Sequence, residues 1–215
     1  MADRVDLPPA LRDAIARDLH PVPPLPAPAR RLVPVIPAAL VLLVAAVVLF
    51  GLRGDAPRLG IGLTWVASSL QMALGLVLTA AALREAVPGT TLPRRILGLL
   101  LGTTAIVIAG ITALTWLASP TRIAPGYVAY VWTVCVAGTI ASALPVMAIA
   151  GWLVARAFPL RPRVAGALYG LGAGLIADAG WRLFCHYSDP LHVFGAHTLA
   201  IVVVMAIGVG ISRRR

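Results

Sequence analysis

Six long apolar runs, separated by short stretches rich in proline, glycine and arginine, set the pattern of this chain. They extend roughly from Leu32 to Leu52, Leu59 to Leu83, Ile96 to Ala118, Tyr130 to Val154, Val164 to Leu183 and Val193 to Ile211. Each is close to the ~20 residues that a helix needs to cross the hydrocarbon core of a bilayer. Backbone groups in lipid find no water, so such runs must close their hydrogen bonds internally, as helices. The pattern predicts an all-α, polytopic membrane protein whose six transmembrane helices occupy residues 31–215.

A different periodicity precedes them. Leu7, Leu11, Ile15 and Leu19 recur every four residues beside Ala10 and Ala14, while Arg12, Asp13, Arg17 and Asp18 fall on the other face. Residues 1–20 therefore predict a short amphipathic helix. Asp6 can cap it, Pro8 and Pro9 suit a first turn, and Asp13 with Arg17 makes a favourable i,i+4 pair. A helix this short is marginal alone in water. Either it rests on the bilayer or on its own loops, or it lays its apolar stripe (Leu7, Leu11, Ile15, Leu19) into the groove of a cytoplasmic partner. Four acids among residues 1–20 weigh against an anionic membrane surface. Residues 21–30, with five prolines from Pro21 to Pro28, predict an extended spacer of ~25 Å.

Composition fixes the class and orientation. With 60% apolar and 12% charged residues, the chain lies outside the soluble range. The net charge of +10 raises nucleic acid as a partner, but the arginines are scattered without interleaved aromatics, so no direct nucleic-acid binding is expected. Fourteen of the eighteen basic residues, all arginines, lie before the first run, between the second and third, between the fourth and fifth, or after the sixth. The excess of positive charge predicts that both termini are cytoplasmic. The acids and prolines of residues 1–30 do not make a cleavable signal.

Polar positions inside the runs are few. Ser68, Ser69 and Gln71 are expected to face other helices, and Gly98 with Gly102 to form a close-packing face. Pro145 predicts a kink. Tyr127, Tyr130 and Trp132 suit an aromatic belt at the outer interface. In the fifth run Gly166, Gly170 and Gly174 continue at the same spacing into Asp178 and Arg182. Asp178 should therefore look into the bundle, as a functional candidate or as the ion-pair partner of Arg182.

The densest chemistry lies from Trp181 to His197, predicted to be outside, with Cys185, His186, Asp189, His192 and His197. Cys135, near the outer end of the fourth run, comes to the same face. The two thiols can form a disulfide if their Cα atoms approach within ~7 Å. Alternatively, Cys185, His192 and His197 can ligate a transition metal, or Cys135 is a small apolar side chain among interfacial histidines. No HExxH, phosphate loop, nucleophile elbow or CxxC is present, so an enzyme is not expected. No resident cofactor is expected either, beyond a transient metal ion at the outer Cys/His cluster.

Several of these features occur together in one family. The Leu-x3-Leu-x3-Ile helix, His20-Pro-Val-Pro-Pro-Leu, six membrane runs, the exit at Val87-Pro-Gly89, and Trp181-Arg-Leu-Phe-Cys185-x3-Asp189-Pro-Leu-His192-Val running on to His197 resemble the NrsF family, negative regulators of sigma factor F. The chain departs from the family pattern at His186-Tyr187 and at Gly195-Ala196. The resemblance implies an integral inner-membrane anti-sigma factor. Its cytoplasmic N-terminus would hold an extracytoplasmic-function sigma factor until the outward-facing pair Cys135 and Cys185 registers a metal or an oxidant. The rival expectation is a small membrane metal-binding or redox protein using Cys185, His192 and His197.

Overall fold

The computed structural model describes residues 8–19 and 25–213, and every regular element among them is helical. In chain order these are α1 (Pro9–Asp18), α2 (Pro28–Phe50), α3 (Ala56–Glu85), α4 (Arg94–Ala118), α5 (Pro125–Ala155), α6 (Pro162–Phe184) and α7 (Pro190–Ser212). All six predicted runs are helical. Five of them, α2 to α5 and α7, are long and apolar enough to cross a membrane. At 23 residues and 1.5 Å per residue, α6 reaches ~35 Å, although Arg163, Asp178 and Arg182 dilute its apolar character. Large apolar side chains such as Val48, Ile106 and Leu117 point outward and exposed. Water disfavours a surface of this kind and hydrocarbon does not.

The bundle is built around α6, which is buried almost continuously from Ala165 to Leu183. Glycine makes that possible. A Cβ at Gly166 would stand 2.6 Å from the Gly208 carbonyl, and one at Gly170 would stand 2.8 Å from Met205 Cα. The predicted glycine row therefore packs against the backbone of α7. A second face, not foreseen, meets α3: a Cβ at Gly172 would lie 2.6 Å from the Gly75 carbonyl. Gly180 brings α6 against the Leu42 carbonyl of α2, where a Cβ would come within 3.1 Å.

At the end where α3 closes, buried charges tie the helix termini together. The Arg31 guanidinium donates to the carbonyls of Leu83, at 3.2 Å, and Leu153. These are last-turn carbonyls of α3 and α5, the negative ends of two helix dipoles. Nearby, Glu85 is fully buried, accepts from Leu92 N at 2.8 Å and pairs with Arg161.

Several expectations are corrected. The N-cap position of α1 is Pro8 rather than Asp6, and the helix ends at Asp18. Arg17 reaches back to the Asp13 carbonyl, at 3.2 Å. Leu7 and the first part of the proline spacer, residues 21–24, lie outside the described residues, and the spacer ends early because Pro28 already opens α2. Ser68 and Gln71 face inward as expected, but Ser69 is exposed. Gly98 and Gly102 face open space, because α4 is peripheral and buries Thr104, Ile111, Thr112 and Thr115 instead.

Glycine packing of this kind has a measurable consequence. Gly172→Leu should lower stability by ~2 kcal/mol or more, since backbone blocks the new side chain. Gly98→Leu should be nearly neutral. Thermal unfolding of the two variants in the same detergent checks the contrast.

Candidate functional site

The functional candidates converge where α6 ends and α7 begins, at the opposite end of the bundle from Arg31. α6 stops at Phe184 and Cys185 follows in extended conformation. The chain turns back at Asp189, whose side chain accepts from Leu191 N at 3.1 Å and caps the restart. From Val193 to His197 the helix widens into a π turn. In a regular helix His192 and His197, five residues apart, would point ~140° from each other. The i→i+5 bonding of the wide turn brings them to one side, and their rings meet edge to face with centroids 5.0 Å apart.

Cys135 of α5 completes the group. Its Sγ lies 3.9 Å from Cys185 Sγ, which lies 3.4 Å from His192 Nε2. The donor atoms of Cys135, Cys185, His192 and His197 all fall within 4.8 Å of one another, and all four residues are buried. In a tetrahedral Cys2His2 site with ordinary bond lengths, donor atoms stand ~3.4–3.8 Å apart, so a small contraction would suit a borderline or soft cation. The thiols stand ~2 Å beyond disulfide bonding distance.

A polar shell orients the cluster. His197 Nδ1 is hydrogen-bonded to Asp178 Oδ1, and Asp178 Oδ2 accepts from Gln71 Nε2 at 2.6 Å. A carboxylate behind a ring nitrogen fixes the ring and leaves its other nitrogen for a ligand. The partners of Asp178 are thus His197 and Gln71, not Arg182 as expected. Arg182 is buried and lines a space of about 10 Å3, room for one water, with Arg53, Cys185 and His197. The Nδ1 of His192 and the Oε1 of Gln71 are buried without a hydrogen-bond partner.

The connecting segments are braced. Arg53 holds Asp55 through two bonds of 2.6 and 2.9 Å and donates to the carbonyls of Arg182 and His186. Burial pushes the Asp55 carboxyl up, but the Arg53 guanidinium hydrogen-bonded to it outweighs that and holds it below the usual carboxylate range. Thr121 and Ser188 exchange hydrogen bonds of 3.0 Å, which ties the α4–α5 connection to the α6–α7 connection. The Cys185 thiol is drawn well below its ordinary value, first by the hydrogen bond from Cys135 and, against desolvation, by His192 and His197.

Cys185, His192 and His197, whose spacing matches no strict metal motif, are brought together, and Cys135 joins them as a fourth donor. Trp132 is half-buried and packs against the cluster. Its ring lies 6.2 Å from that of His192, and a Cβ on Gly195 would stand 2.1 Å from it. Tyr127 and Tyr130 are exposed. Gln71 and Arg53 had no legible role in the cluster, since each lies more than a hundred residues before the groups it holds.

A family model described as NrsF, negative regulator of sigma F, matches residues 15–215. No curated protein and no solved structure matches the chain.

Titration of the purified chain with cadmium, followed by thiolate-to-metal absorption, is expected to give one ion per chain. Asp178→Asn should weaken binding ~10–100-fold, while Ser69→Ala leaves it unchanged. Binding indifferent to Cys135→Ser would remove Cys135 from the donor set.

Proposed function

Since the chain belongs to the NrsF family of negative regulators of sigma F, we propose that it is an inner-membrane anti-sigma factor with a thiol-based trigger. In this reading six helices cross the membrane, α6 included, with both ends of the chain in the cytoplasm, where the arginine excess favours them. The apolar residues Leu11, Ile15 and Leu19 at α1 hold an extracytoplasmic-function sigma factor. All three are exposed, which leaves the stripe available for helix-in-groove docking. Leu7 would extend that stripe.

One observation carries the sensing part. Two helices run from the Cys/His cluster and its polar shell to Arg31: α5, which supplies Cys135, and α3, which supplies Gln71 to Asp178. Arg31 stands at the base of the segment leading to α1. A metal ion or disulfide that draws Cys135 and Cys185 together would shift α5 against α3, and the two carbonyls bound to Arg31 belong to those helices. Release follows if the rearranged bundle presents α1 less favourably. A ~100-fold loss of affinity requires only ~2.7 kcal/mol of coupling.

The donor set by itself favours a second reading, a small membrane metal-binding or redox protein with no sigma partner. Co-purification from mild detergent separates the two. Full-length protein should capture a sigma factor that a form lacking residues 1–28 does not. The double substitution Cys135→Ser, Cys185→Ser should keep resting capture and lose release by cadmium or oxidant. Release retained in the double variant would falsify the thiol trigger, while stoichiometric metal without any captured sigma factor would favour the second reading.

A further inference from the structure

We infer that the trough between α5 and α7 binds one acyl chain of an anionic phospholipid. The trough has a volume of about 820 Å3 and is lined by Leu144, Met147, Gly151, Trp152, Tyr169 and Ile211, among others. It lies far from the Cys/His cluster, and neither regulation of a sigma factor nor metal binding uses it. The inference needs only that α5 and α7 span the bilayer.

Depth is the first argument. From Leu144 to Ala155, α5 advances ~17 Å, about half of a ~30 Å hydrocarbon core. The trough therefore has the reach of a single leaflet. Gly151 opens its floor, where a Cβ would stand 3.5 Å from the Tyr169 ring. The Tyr169 hydroxyl bonds Gly208 O and Ser212 Oγ, each at 3.1 Å, so it is satisfied without a ligand and the wall accepts an apolar occupant.

Charge at the mouth is the second. The Arg156 guanidinium stands 4.7 Å from the Trp152 ring centroid, and Arg156 and Arg163 are both exposed. An arginine stacked on the lining Trp152, with Arg163 next in sequence to the lining Pro162, fits a lipid phosphate and favours a net-anionic headgroup. Between them Phe158 is 82% exposed at φ 53°. This left-handed conformation, uncommon for a bulky residue, turns its ring outward at the lip. The other occupants fit less well. α1 would carry Arg12, Asp13, Arg17 and Asp18 into hydrocarbon, and a symmetric second copy would gather like-charged arginines.

The test uses the full chain, delipidated and given equal amounts of phosphatidylglycerol and phosphatidylcholine, with retained lipid read by native mass spectrometry. One phosphatidylglycerol per chain is expected on the wild type and none on Gly151→Leu, while Gly98→Leu, on an open face, behaves as wild type. Arg156→Gln should lower the preference for phosphatidylglycerol about fivefold. Quenching by brominated lipids, with Trp152→Phe subtracted to isolate Trp152, gives a reading on the wild type that does not depend on the folding of Gly151→Leu. Stronger quenching by brominated phosphatidylglycerol than by brominated phosphatidylcholine supports the site. Equal retention or equal quenching by the two lipids overturns it, as does a wild-type dimer that Gly151→Leu dissolves.

Discussion

Everything in this bundle depends on how closely α6 approaches its neighbours. Lipid tails are as apolar as leucine, so membrane helices gain little by hiding apolar surface and associate through packing and interhelical hydrogen bonds. Glycine at positions 166, 170, 172 and 180 lets α6 touch the backbones of α7, α3 and α2 directly. That approach brings Asp178 within hydrogen-bonding range of Gln71 on α3 and of His197 on α7. With side chains at these glycines, the helices would stand farther apart and the polar contacts would be lost.

Burying Asp178 and His197 carries a large desolvation cost that only a complete set of partners offsets. Asp178 has both oxygens bonded. His192 Nδ1 and Gln71 Oε1, by contrast, are buried without partners, a cost of ~1–3 kcal/mol each. A cluster that is satisfied on one side and short of partners on the other has something to gain from a bound ion or a rearrangement. Cys185 is the pivot, because it contacts both Cys135 and His192 while lying just outside α6.

The two ends of the bundle share their supports. α5 supplies Cys135 to the cluster, α3 supplies Gln71 to the Asp178 behind it, and both present last-turn carbonyls to Arg31 at the far end of the bundle. A helix is stiff along its axis, so displacement at one end of α5 relative to α3 is felt at the other. The rearrangement need not be large, since packed interfaces tend to have discrete alternatives rather than a continuum.

The sequence by itself determined that the long apolar runs are helices and where they begin and end, since an apolar run away from water has only one way to pair its backbone. It also determined the glycine row of α6 and the stretch that holds the chemistry, because helical spacing maps directly onto a face. Tertiary structure alone decided who meets whom. Gly98 and Gly102 have the same spacing as the row in α6, yet they face outward, because the close-packing motif does not say whether a partner helix lies there. Trp132 carries the amphipathic signature of an interfacial residue, but that signature did not show that its ring would lie beside His192. Asp178 passes over Arg182, one turn away on its own helix, for His197 and Gln71. The fourth donor, Cys135, lies fifty residues before Cys185, and a wide turn that no residue type announces brings His192 and His197 to one side. Helical periodicity reports which face a side chain occupies; only the packed bundle determines what stands opposite it.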